Sequence, residues 1–453
     1  MVLQRNMKVP VWGTARPGET VTVKLAGKTA AARADAAGRW EARIGPLDAG
    51  GPHEMTVTGS KVVTFRDVLI GEVWFGSGQS NMQIPMCWKL NGNGLYNAEK
   101  EIAAADHPQF RLRTMGWGGG WQACTPKSVK NFSALGYYFG RELHRRLDVP
   151  VGIIACGRGR TAIQVYMSPE ALEKAGTAAG RNKTKGQEWA RKVAPAIPYG
   201  VAGVIWYQGE ANVGAPEKYL GLFTILIEDW REKWGRDDLP FLFAQLGNTA
   251  RQIGVPPAPA PGERCRFDPR STAATRESQR RALKLPHTGM MVSSDLPVDD
   301  GVAGHPLDKP TQGKRLALLA LERVYGKKVV GSGPLIESIE IVGNKVLLKF
   351  KGVGEGLAAR DREGKEVAEV HGFALAPAGN PRNLLWARGK ITGKKTVEVW
   401  SEAIGQPGAV LYGADENASW CNLYNSEGLP ASIFVSDDYW KAFTTRKPSA
   451  AGR

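Results

Sequence analysis

The chain changes its hydrophobic rhythm twice. From Val9 to about residue 63, short alternating stretches such as "TVTVKLAG" and "AAGRWEARI" are separated by Gly and Pro turns, which predicts a small β-sandwich-like unit. From there to about residue 330, continuous apolar runs alternate with segments of helical period. The runs at 67–75, 149–156, 200–208, 240–246 and 288–296 predict buried parallel strands, and those at 131–147, 219–234, 271–284 and 312–326 predict helices. Beyond Gly326, "IESIEIVGNKVLLKFKG", "KTVEVWS" and "GAVLYGAD" return to alternation. The expected organisation is an N-terminal β domain (1–65), a catalytic α/β domain with a parallel sheet flanked by helices (66–330), a C-terminal β domain (331–440) and a basic tail (441–453).

Composition narrows the function classes. With 453 residues, 42% hydrophobic and 23% charged, the chain is an ordinary folded protein large enough for more than one core. No run of eighteen apolar residues predicts a membrane span, and the N-terminus lacks the apolar core of a signal peptide. The five cysteines lack CxxC spacing, which argues against a zinc ribbon or redox motif and allows a disulfide or two at most. The net charge of +16 is spread along the chain rather than gathered in an aromatic-interleaved block, so an anionic glycan or a basic surface fits better than nucleic acid.

Each predicted strand of the middle region ends where Gly, Ser, Asn or Asp begin, and in open α/β sheets ligands bind at such carboxyl ends. "GSGQSNM" (76–82) displays Ser80 after a buried strand, as a nucleophile or as part of a Gly-rich turn, with Ser77 earlier in the same turn. It is not the G-x-S-x-G elbow, because Met82 stands where Gly is needed. Of the six histidines, His305 follows the last strand and precedes a helix, where a general base could face Ser80. In "GVIWYQGEAN" (203–212), Gln208 and Asn212 are candidate oxyanion donors and Glu210 a group that orients the base or holds the loop, against a plain polar loop.

These stretches, in this order, resemble the SGNH-type hydrolases and specifically the sialate O-acetylesterase family of carbohydrate esterases. "MVLQRNMKVPVWGTARPGE", "GEVWFGSGQSNMQ", "ACGRGRTAIQVYMSPEAL", "GVIWYQGEAN", "HPLDKPTQGKRLAL" and the closing "NLYNSEGLPASIF" carry the likeness over nearly the whole chain. The resemblance implies an SGNH-hydrolase-like fold and a serine esterase that removes O-acetyl groups from glycans through an acyl-enzyme, with no metal or other cofactor. It implies Ser80 as nucleophile, His305 as base, and the N–H groups of Ser80 and Gly159 with the side chain of Gln208 or Asn212 as oxyanion donors. Gln79, Asn81 and Glu210 support them.

Two departures stand out. Arg160 occupies one of two positions that the family commonly gives to glycine, where its guanidinium could bind a substrate carboxylate. Val302-Ala303-Gly304 fill the space before His305 where an acid is usual, so the orienting carboxylate is expected from Asp300, ahead of Asp299 and Glu210, the alternative being a Ser-His dyad with no such acid. Trp117 and Trp121 of "GWGGGW" are candidate sugar-stacking residues. The expected partner is an O-acetylated, possibly anionic carbohydrate, with neither nucleic acid nor membrane. The resemblance also implies a secreted or periplasmic protein whose leader precedes this sequence. The alternatives are an acetylxylan-type esterase, a catalytically impaired carbohydrate-binding protein, and a metal-dependent deacetylase, for which no histidine pair has ligand spacing.

Overall fold

The computed structural model describes all residues except 91, 117–118, 181–183, 250–254, 298–303 and 445–453. Its centre is a sheet of seven strands: β1 (Val62–Gly78), β2 (His107–Thr114), β3 (Gln122–Cys124), β4 (Val151–Gly157), β5 (Gly203–Tyr207), β6 (Phe241–Ala244) and β7 (Thr288–Met291). Their spatial order is β3-β2-β4-β1-β5-β6-β7, and all neighbours are parallel except the edge strand β3. β2 and β3 did not announce themselves as apolar runs: β2 buries only Phe110 and Leu112 between more exposed neighbours, and β3 is a three-residue edge strand.

Both faces of the sheet are covered, which is why its strands read as continuous apolar text. Val73, Phe75, Val204 and Trp206 point to one core, shared with the helix α3 (Pro216–Trp234). Trp74, Ile205 and Tyr207 point to the other, beneath the helices α2 (Ala134–Leu147) and α5 (Lys309–Arg323). Helix α4 (Thr272–Arg281) packs beside α3. This is the expected α/β architecture, a mostly parallel sheet between helices with further β-sheets at both ends of the chain.

The expected boundary at residue 65 falls inside one strand. The first half of β1 pairs antiparallel with Gly50–Thr58, and its second half pairs parallel with β4 and β5, so the N-terminal sheet runs unbroken into the central one. The C-terminal strands form a separate core around Val346, Phe373, Val399 and Tyr412. The Pro-rich segment 255–270, most of it exposed or half-buried, is clipped onto that core by Cys265, which is buried in it, and by Arg264, which bridges Leu385. Arg276 of α4, fully buried, donates to the carbonyls of Leu246, Gly247, Asp415 and Glu416 and so ties the loop after β6 to the C-terminal region. Helix Asp437–Thr444 takes in the first residues expected in the basic tail (441–453), the rest of which lies outside the described residues. All five cysteines are free thiols. No helix among the described residues is long and apolar enough to cross a membrane.

Candidate active site

The turn after β1 is built around Gly78. At φ +133° it adopts a conformation that L side chains rarely take, and a Cβ there would collide with the Tyr207 carbonyl oxygen of neighbouring β5. The next residue, Gln79, is buried and accepts from Gln208 Nε2 at 3.2 Å, Ala211 N at 3.3 Å and Gly209 N at 3.4 Å, which welds this turn to the one after β5. Ser80 then opens the short helix α1 (Ser80–Gln83), a position whose N–H has no intrahelical acceptor. Ser77 is fully buried, its Oγ turned to the Cys156 carbonyl at 3.4 Å, so Ser80 is the serine this turn presents.

His305 reaches the same spot from 225 residues away. Its Nε2 lies 2.7 Å from Ser80 Oγ, within the reach required of a base and its nucleophile. The histidine sits just ahead of α5, whose start is fixed by Asp308 capping Thr311 N at 2.9 Å and by Pro310 in the first turn. Trp88 flanks it, ring centroids 6.5 Å apart.

Beneath this pair lies a buried polar cluster. Asn81 Nδ2 donates to Glu210 Oε1 at 2.8 Å and to the Gly304 carbonyl at 2.7 Å, while its Oδ1 accepts from Lys309 Nζ at 2.6 Å. Lys309 also donates to Gln312 Oε1 at 2.9 Å and stands over the Tyr207 ring. Burial, only partly offset by its hydrogen bonds and by Lys309, pushes the Glu210 carboxyl up to about 7, and burial pulls the Lys309 ammonium down to about 7. Glu210 Oε2 has no partner among the described residues. Neither Lys309 nor Gln312 stood out in the sequence. Both read as the polar face of an amphipathic helix, and the one available signal was a lysine directly behind the "HPLD" that carries the base.

The turn after β4 closes the site from the other side. Tyr166 OH donates to the Gly78 carbonyl at 2.5 Å and accepts from Arg158 N at 2.9 Å. Arg158 pairs with the buried Glu188 at 2.6 Å, which also holds Lys192, and Lys192 donates to the Gly157 carbonyl at 3.0 Å. Gly159 thereby lies against the nucleophile: a Cβ built on it would be 3.6 Å from Ser80 Cβ. Its N–H donates to Gln83 Oε1 at 2.6 Å. Arg160, exposed and at φ +58°, follows directly.

The two candidate side-chain donors differ. Gln208 Nε2 has two hydrogens and three acceptors around it, Asn212 Oδ1 at 2.8 Å, the Thr161 carbonyl at 3.1 Å and Gln79 Oε1 at 3.2 Å, so none is left over. Asn212 Nδ2 gives one hydrogen to Gln164 Oε1 at 3.2 Å and keeps a second. Trp121 is not brought to the site. Its ring packs on Gly152 near the amino end of β4 and against Tyr199, centroids 6.0 Å apart, whereas Ser80 lies beyond the carboxyl ends. Trp117, Asp299 and Asp300 lie outside the described residues. No group of three or more His, Cys, Asp or Glu suited to a metal occurs among the described residues.

A model of the family described as "Carbohydrate esterase, sialic acid-specific acetylesterase" matches residues 71–320. The sialate O-acetylesterase of Homo sapiens is 30% identical over 407 residues, covering 77% of this chain and 74% of the relative. That of Mus musculus is 28% identical over 431 residues, covering 77% and 76%. The crystal structure of a carbohydrate acetylesterase from Xanthomonas citri superposes with a TM-score of 0.82 at 34% identity, covering 96% of this chain and 97% of that one.

Proposed function

Since the chain belongs to the carbohydrate esterase, sialic acid-specific acetylesterase family and is a carboxylic ester hydrolase, we propose that it removes O-acetyl groups from glycans by a Ser80–His305 mechanism. The observation that carries this reading is the 2.7 Å contact between Ser80 Oγ and His305 Nε2. Ser80 Oγ attacks the acetyl carbonyl carbon while its proton passes to His305 Nε2. The oxyanion is held by the N–H groups of Ser80 and Gly159 and by the second hydrogen of Asn212 Nδ2. Collapse expels the sugar oxygen, which takes the proton from His305. Water, deprotonated by the same nitrogen, then attacks the acyl carbon, releases acetate and restores the Ser80 hydroxyl. Asp300, five residues before His305, is assigned as the carboxylate that orients it.

The proposed substrates are O-acetylated sialic acids, whose carboxylate Arg160 would bind; the exposed guanidinium next to Gly159 supports this choice. The test is acetate release from a panel of O-acetylated sialic acids, acetylxylan and acetylated anionic polysaccharides. Ser80→Ala and His305→Ala should each lower release by about 10⁴-fold or more with the fold retained. Turnover by Ser80→Ala at the wild-type rate would refute the mechanism, and preference for neutral acetylxylan would refute the substrate.

A further inference from the structure

We infer that Lys309 is a positioning residue that holds the nucleophile turn and the histidine loop in register, acting through Asn81. The inference rests on the Ser80–His305 reading above and adds to it a group that touches neither substrate nor reacting atoms.

The geometry is that of a clamp. Asn81 follows Ser80, and Gly304 precedes His305; the single amide of Asn81 joins the two, donating to the Gly304 carbonyl at 2.7 Å. Its second hydrogen goes to Glu210 of the turn after β5, so three separate turns meet on one side chain. What fixes the rotation of that side chain is its oxygen, and this oxygen faces Lys309 Nζ at 2.6 Å. With the ammonium in place, the amide can point only one way: reversing it would set its NH₂ against a cation and leave the Gly304 carbonyl facing an oxygen. A charge-assisted bond to Oδ1 also polarises the amide and strengthens the two bonds that its nitrogen donates.

Packing does not account for a lysine here. Lys309, at the start of α5, and Asn81, in α1, are both 0% exposed. Desolvating an ammonium is costly, and an apolar residue of similar length would fill the same volume without that cost. The lysine's donors go to Asn81 and Gln312, and among the described residues no carboxylate bridges it directly as in a simple structural ion pair.

The experiment compares Lys309→Met, Asn81→Ala and the double variant in the full chain, with kcat and KM for 4-nitrophenyl acetate expressed per site titrated by an organophosphorus fluoridate. Lys309→Met should lower kcat about 10- to 100-fold with KM within about twofold, since a small misplacement of reacting groups costs that much. The double variant should be no slower than Asn81→Ala alone, because the lysine works through that amide. Losses that multiply in the double variant, or a loss that vanishes once rates are expressed per titrated site, would overturn the inference. Should Lys309→Met not fold, Lys309→Leu, which likewise has no donor for Asn81 Oδ1, is read by the same criteria, and failure of both to fold would make the lysine purely structural. Ser80→Ala serves as the control: activity in that variant removes the underlying mechanism, whereas an inactive Ser80→Ala beside a Lys309→Met of unchanged kcat removes only the clamp.

Discussion

The backbone N–H of Gly159 donates to the side-chain oxygen of Gln83 at 2.6 Å, directly beside Ser80. An amide oxygen of the protein thus stands where one donor of the proposed oxyanion hole would receive the substrate. Gln83 is exposed and can swing away, so the contact is a competitor rather than a block. An exposed hydrogen bond of this kind is worth about 0.5–1.5 kcal/mol net. Gln83→Ala is therefore expected to raise kcat/KM by about 2- to 10-fold, measured on acetylated sialic acid. A fall instead would assign Gln83 to substrate binding.

Arg160 separates binding from stability. It is held at φ +58°, where a side chain costs about 1 kcal/mol relative to glycine. Arg160→Gly is expected to unfold at slightly higher denaturant concentration than the wild type, while losing at least about tenfold in kcat/KM toward carboxylate-bearing substrates, the worth of one charge-assisted contact. Its activity on neutral acetate esters should stay within about twofold. Equal losses on both substrate classes would show that the guanidinium does not read the carboxylate.

Glu210 makes stability depend on pH in an unusual direction. Its folded carboxyl titrates near 7 because it is buried, whereas in the unfolded chain it titrates near 4.5. Between those values the native state holds a proton that the unfolded state has released, so the contribution of Glu210 to stability falls as pH rises through this window. Glu210→Gln keeps an oxygen for Asn81 Nδ2 and removes the titration. The variant should match the wild type near pH 4.5 and exceed it increasingly toward pH 8, as followed by thermal unfolding. A difference that is flat with pH would show that Glu210 titrates normally.

Gly78 admits no side chain. Gly78→Ala combines the strain of φ +133° with a collision against the Tyr207 carbonyl. The expected loss is about 3 kcal/mol or more, with activity lost even in the protein that folds, because Ser80 is two residues away. Denaturant unfolding together with active-site titration checks both halves.

Trp121 is expected to act in packing. Its ring lies on Gly152 and Tyr199, away from the serine. Trp121→Ala should cost about 2–4 kcal/mol of stability and leave KM for glycan esters unchanged. A raised KM at unchanged stability would restore it as a sugar contact.

The sequence by itself determined the strands that carry the site, because a strand buried on both faces must be apolar throughout and must turn polar where it leaves the sheet. Val73 to Phe75 and Val204 to Tyr207 are legible for that reason, and so are Ser80, Glu210 and His305, which follow such strands. What the tertiary structure alone decided are relationships between residues far apart in the chain. Lys309 looks like the polar face of a helix until α5 is docked, and only then does its ammonium prove to be buried against Asn81, 228 residues earlier. Gln208 and Asn212 look equivalent as donors, and only their neighbours Gln79, Thr161 and Gln164 show which amide retains a hydrogen. Trp121 reads as a loop aromatic, and only the packing of its ring on Gly152 and Tyr199 shows that it lies away from the serine. Hydrophobic period is a local property and survives in the sequence; the satisfaction of buried polar groups is a property of packing, and no local pattern records it.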